Sequence, residues 1–115
     1  MTKAKANDHR RAYRAIKAAK ALIKDKSRWT QGAYARNKHG TIVPRWSKDI
    51  YSFCAYGALI VAAHDENIEV MSLTKYFDGG FRNLVKANDE LGHSAAISAL
   101  DSAIKLASKK AMELE

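Results

Sequence analysis

Apolar positions recur at three- and four-residue spacing near both ends of the chain, and the middle breaks that rhythm. Tyr13, Ile16, Ala19 and Ile23, flanked by Ala12, Ala15 and Leu22, predict an amphipathic helix. Asn7 or Asp8 would cap its start, and it would run to about Lys26. Residues 1–7 lack this period and are expected to form a flexible basic tail ahead of a single helical domain over 8–115. At the other end, Ile97, Leu100, Ala103, Ile104, Ala107 and Ala111 predict a last helix, with Ser94 as its cap. Residues 27–46 are expected to be a long loop. It would contain a short hairpin near 33–43, because Asn37 to Gly40 is turn chemistry and Thr41, Ile42 and Val43 are β-branched. Ser47 predicts the cap of a helix over about 48–64. Ile50, Phe53, Cys54, Gly57 and Val61 lie on one side of it and Ala55, Ala58, Leu59 and Ala62 on the rest. A helix apolar nearly all round belongs in the centre of a fold. A glycine inside it implies that another backbone passes close by. Asn67 predicts a short helix through Tyr76, Asp78-Gly79-Gly80 a turn, and Phe81, Leu84 and Val85 a further short helix ending near Asn88-Asp89. The fold expected is mainly α: a compact bundle of four to five helices with a short β-hairpin between the first and second helices.

Composition supports this reading. Hydrophobic residues make up 47% of the 115, within the globular range, and twenty of them are alanine, which favours close-packed helices. No run is long and apolar enough for a membrane span, and no N-terminal stretch has the form of a secretory signal. The single cysteine, Cys54, cannot form an intramolecular disulfide, so a cytoplasmic setting is expected.

Charge changes the picture most. The chain carries +8, divided unevenly: residues 1–48 hold fourteen Lys/Arg against Asp8 and Asp25, while residues 49–115 hold six Lys/Arg against ten acids. Such segregation predicts an electropositive face made by the N-terminal half. Arg10, Arg14, Lys17, Lys20 and Lys24 recur at helical spacing opposite the apolar stripe. In the loop, Trp29, Tyr34 and Trp46 alternate with Arg36, Lys38, His39 and Arg45. Aromatic platforms beside cations suit unpaired bases, which offer rings to stack and phosphates to neutralise. The bland readings are that the charge keeps a small protein soluble and that a tryptophan, most simply Trp29, pins the loop to the core.

Catalytic patterns are sparse. Cys54 beside His93 and Asp89 is the one constellation resembling a nucleophile with a base. An apolar helix raises a thiol pKa, however, and Cys54 is expected two turns into that helix, so a buried packing role is the simpler reading. The four histidines lack metal-ligand spacing, and no phosphate-binding glycine loop is present. No cofactor or metal is expected. Asn88-Asp89 reads as helix-ending chemistry or as a polar cluster that orients Arg36 or the Trp29 loop.

Trp29-Thr30-Gln31-Gly32-Ala33-Tyr34-Ala35-Arg36, Gly40, Cys54-Ala55-Tyr56-Gly57-Ala58-Leu59, Asn88-Asp89 and Leu100-Asp101-Ser102-Ala103-Ile104 together resemble a small bacterial and phage domain family of unknown function. The resemblance covers about residues 13–107. It implies that Trp29, Gly32, Arg36, Cys54, Gly57, Asn88 and Asp89 act together, and it implies no activity. The expected function is a non-enzymatic binding protein whose basic half engages nucleic acid or a nucleic-acid-handling complex. Arg10, Arg14, Lys17, Lys20, Lys24, Arg36, Lys38, Arg45 and Trp46 would make the contacts. A phage counter-defence protein fits this size and resemblance. The alternatives are a pocket around Trp29, Arg36, Cys54, Asn88 and Asp89 that takes a small anion or nucleotide, and a module that grips an acidic protein surface.

Overall fold

The computed structural model describes residues 2–113, and four α-helices carry most of them. Helix α1 spans Thr2–Ile23 and α4 spans His93–Glu113. Both stripes face inward as expected: Ala15, Ile16, Ala19 and Ile23 of α1 and Leu100, Ala103 and Ala107 of α4 are all buried. Alanine at so many facing positions lets helix backbones approach closely. Helix α1 packs along both α4 and α2 (Ala55–Asp65), and α2 contributes Ala58, Leu59 and Ala62 to the same core.

The first helix begins earlier than Asn7 and stops at Ile23 rather than at Lys26. Nothing in the Lys/Ala-rich opening resists a helix, and Ala6 is buried, so residues 2–7 continue the helix where a loose tail was expected. Met1 lies outside the described residues, as do residues 114–115 at the other end of the expected domain. Asp25 ends the helical run by capping a short 3-10 turn, Lys26–Arg28, through its bond from the Ser27 amide at 2.9 Å.

The second helix starts seven residues later than its apolar period suggests. Strand β1 (Ala35–Arg36) pairs antiparallel with β2 (Ser52–Phe53), in register Ala35 with Phe53 and Arg36 with Ser52. Within the stretch 48–53, whose apolar spacing fits a helix as well as a strand, residues 51–53 are drawn into this pairing, Tyr51 through its amide bond to Arg36 O. The expected turn at Asn37–Gly40 is present inside it: Asn37 N donates to Thr41 O, and Arg36 bridges Ile42. Helix α2 is therefore capped not by Ser47 but by Cys54, whose Sγ accepts from the Gly57 amide at 3.2 Å. At its far end Asn67 adopts a left-handed φ of 58°, and the bonds Asn67 N to His64 O and Ile68 N to Ala63 O close the helix. That conformation is why the next segment begins only at Val70, as a 3-10 run to Tyr76. Helix α3 (Gly80–Lys86) passes directly into one π-helical turn, Ala87–Leu91, ahead of α4.

Candidate functional site

The π turn places Asn88 inward and Asp89 outward. Asn88 is 1% exposed, the one large polar side chain among the fully buried residues. Each of its side-chain atoms serves two partners. Oδ1 accepts from Trp29 Nε1 at 2.6 Å and from the Ala55 amide at 2.9 Å. Nδ2 donates to Thr30 O at 3.1 Å and to Asp89 Oδ1 at 2.9 Å. The amide thus ties three distant segments together: the loop after α1, the first turn of α2 and the start of α4's approach. Around it, Gln31 Nε2 donates to the Asn88 and Asp89 carbonyls, and the Gly32 amide donates to Asp89 Oδ1 at 3.2 Å. The Trp29 ring also packs edge-on against His93, whose Nε2 donates to Ile23 O at 2.7 Å.

Arg36 is bound inward by the same loop. Its Nε donates to Thr30 Oγ1 at 2.8 Å, Nη1 to Gly40 O at 3.0 Å and Nη2 to Gln31 O at 3.1 Å. All three acceptors are neutral, so the guanidinium stitches the loop while making no ion pair among the described residues.

Beside this network lies a pocket of about 360 Å³. Tyr34, Ile42, Tyr56 and Val85 form its sides, and Cys54, Asn88 and Asp89 supply the polar atoms. The Tyr34 and Tyr56 rings meet edge-on at 5.7 Å. Gly57 makes the geometry possible: a Cβ there would stand 2.2 Å from Tyr34 O, so the loop can lie on α2 only because position 57 has no side chain. The close backbone approach implied by a glycine in this helix is therefore the crossing that forms the pocket.

Of the residues expected around a pocket, Cys54, Asn88 and Asp89 line it, whereas Trp29 and Arg36 stand behind it as supports. No lysine or arginine lines it, so an anion would meet the Asp89 carboxylate with no counter-charge. Cys54 sits at the helix start and not two turns in, yet its thiol is not activated. Burial pushes its pKa up and outweighs the lowering by the Gly57 amide, and the Asp89 charge raises it further. His93 is committed to Ile23 O and Trp29. Tyr34, Ile42, Tyr56 and Val85 were not singled out as pocket residues. Only the Gly57 signal pointed to the crossing that brings them together.

The cationic row on α1 is partly neutralised within the molecule. Arg14 pairs with Glu66 at 3.0 Å and Lys20 with Asp101 at 2.6 Å. Arg10 donates to Asn7 Oδ1. Lys17 lies over the Tyr13 ring and, like the exposed Lys24, makes no ion pair among the described residues. The 37–51 connection is different: Lys38, His39, Arg45 and Lys48 are all exposed, and Trp46 is 75% exposed with the Arg45 guanidinium 5.5 Å from its ring.

Residues 8–106 match the profile of a family of unknown function, DUF6197. The chain belongs to that family. The DUF6197 match takes in α1 from Asp8, the Trp29 loop, the pocket and most of α4. No curated protein and no solved structure matches this DUF6197 chain. Among the described residues no helix is long and apolar enough to cross a membrane.

Proposed function

We propose that the protein is a non-enzymatic binder of single-stranded nucleic acid that uses the 37–51 connection as its contact surface. The observation that carries this reading is Trp46. A tryptophan this exposed gives up most of the burial that makes the residue useful to a core, so its value lies in contact with something else. Arg45 beside it, with Lys38 and Lys48 in the same connection, supplies phosphate-neutralising charge next to a stacking ring. On α1, Lys17 and Lys24 can extend the electrostatic contact, while Arg14 and Lys20 would first have to leave Glu66 and Asp101. Arg36 contributes field from a fixed position and no direct contact, its nitrogens being engaged by the loop.

The test is binding of labelled single-stranded DNA, duplex DNA and RNA across a salt series. Log affinity should fall steeply with log salt. Each of Lys38→Glu and Arg45→Glu should reduce the slope by about 1. Trp46→Ala should weaken single-strand binding by about 1–3 kcal/mol, the range for loss of one stacked base, and leave duplex binding little changed. Absence of binding at low salt would overturn the reading and transfer the basic surface to an acidic protein partner.

A further inference from the structure

We infer that the pocket between the Tyr34 loop, α2 and α3 is a binding site for a small organic cation, a protonated amine on an apolar or aromatic body, held by Asp89. The site is separate from the exposed Trp46 surface and does not rest on the nucleic-acid reading.

The lining determines which groups a ligand can meet in this pocket. Asn88 has none to offer: its oxygen accepts two bonds and its nitrogen donates two. Cys54 Sγ already accepts from Gly57 N, and the buried thiol, its pKa raised, offers only a weak neutral S–H. Asp89 Oδ1 holds Gly32 N and Asn88 Nδ2. Asp89 Oδ2 takes no hydrogen bond or ion pair among the described residues, although the side chain is exposed. The Tyr34 and Tyr56 hydroxyls and the Cys54 thiol are neutral groups, so Asp89 is the one charged residue among those that line the pocket. A ligand that engages this carboxylate must bring a donor, and a charged donor makes a bond about twice as strong as a neutral one. The rest of the lining accepts apolar surface, and the tyrosine rings add the attraction of their faces for a cation. A volume of about 360 Å³ lies at the small end of ligand pockets, which suits a compact amine. Gly32 N and Asn88 Nδ2 both bond to Oδ1, which restricts rotation of the carboxylate.

Three probes of nearly one shape separate charge from body: 2-phenylethylamine, 2-phenylethanol and 3-phenylpropanoate. Each is titrated into the isotope-labelled full chain, with the backbone amide resonances of Gly32, Ala33 and Tyr56 as the readout. The amine should shift these amides and bind about tenfold more tightly than the alcohol, a ratio equivalent to about 1.4 kcal/mol, and the carboxylate should not bind. In Asp89→Asn, which keeps an oxygen for Gly32 N, the amine's advantage over the alcohol should vanish. If that variant does not fold, Tyr34→Ala serves instead: removing a half-exposed wall and its ring face should weaken the amine more than the alcohol, and unchanged binding of both would overturn the inference. Equal binding of the three probes, binding of none at millimolar concentration, or shifts centred on other amides would each overturn the inference.

Discussion

Asn88→Ala should be among the most damaging single changes in the protein. It removes the acceptor for Trp29 Nε1 and for the Ala55 amide, the first-turn donor of α2 and a fully buried group. It also removes the donors to Thr30 O and Asp89. A buried donor left without an acceptor costs about 1–3 kcal/mol. Two of them, relieved in part by water entering from the adjacent pocket, sum to about 3 kcal/mol, a large share of the roughly 5–15 kcal/mol that holds a domain of this size. The melting temperature should fall by roughly 10 °C. Urea unfolding followed by tryptophan fluorescence measures the change directly. The exposed Trp46 would contribute an uninformative signal, so the comparison is best made in a Trp46→Phe background.

A second substitution at the same position tests the mechanism. Asn88→Asp keeps the oxygen facing Trp29 and Ala55, but sets a carboxylate oxygen against Thr30 O and Asp89 Oδ1, where the native chain places an N–H donor at 3.1 and 2.9 Å. The new group is destabilised when ionised, so folding raises its pKa above the unfolded value. Its penalty is absent below the unfolded pKa and grows as pH rises through the folded one. At about pH 8 the variant should be as unstable as Asn88→Ala, and it should recover relative to the parent toward about pH 5. A loss below about 1 kcal/mol in Asn88→Ala, or no pH-dependent recovery in Asn88→Asp, would refute the view that this amide holds the loop.

Gly57→Ala should run against helix propensity: an exposed site would gain about 1 kcal/mol, whereas here the Cβ meets Tyr34 O at 2.2 Å, and unfolding titrations should show a loss of about 1–3 kcal/mol or more. Cys54 in the native protein should react with iodoacetamide far more slowly than in urea, because burial raises its pKa; equal rates would refute the buried-cap assignment. The same raised pKa means that the thiol's contribution to stability is fully present below about pH 8.5 and is lost as pH rises through the folded value, so Cys54→Ala should lose less stability than the parent between about pH 8 and pH 10. Asp101→Asn should cost less than about 1 kcal/mol, since both partners of its pair with Lys20 are partly exposed; a loss as large as that of Asn88→Ala would show that the pair organises the α1–α4 contact.

What the chain reveals before folding follows from how far apart the interacting residues are. The stripes of α1 and α4 are legible because one period, read along one segment, states which face is buried, and Ile16, Ile23, Leu100 and Ala107 are buried. Their ends are less legible, because Asn7 and Asp8 are good caps that the buried Ala6 and the helix-forming opening override. The stretch from Ile50 to Cys54 misleads for a related reason. Its spacing fits a helix and a strand alike, and the choice is made by partners at Ala35 and Arg36, outside any local window. Cysteine is a weak acceptor and an unexpected cap, so Ser47 looks like the better start until the pairing is known.

The site inherits this nonlocality. Trp29 and Asn88 are 59 residues apart, and neither has a periodicity that names the other. Chemistry gives a partial substitute. An indole N–H carried into a core needs an acceptor, Gly57 needs a backbone beside it, and Asn88 is the buried polar side chain that meets the first of these needs. Satisfying those groups is also what shapes the surface left over. Asn88, Arg36, Gln31 and Thr30 spend their hydrogen bonds on the loop, Cys54 on its own helix and His93 on Ile23. What the structure leaves is the Asp89 carboxylate at the pocket and the cations around Trp46 on the connection, one negative and one positive group outside that framework. Under the two proposals the surfaces are separable by charge alone: Asp89→Asn should alter amine binding without touching nucleic acid, and Arg45→Glu the reverse.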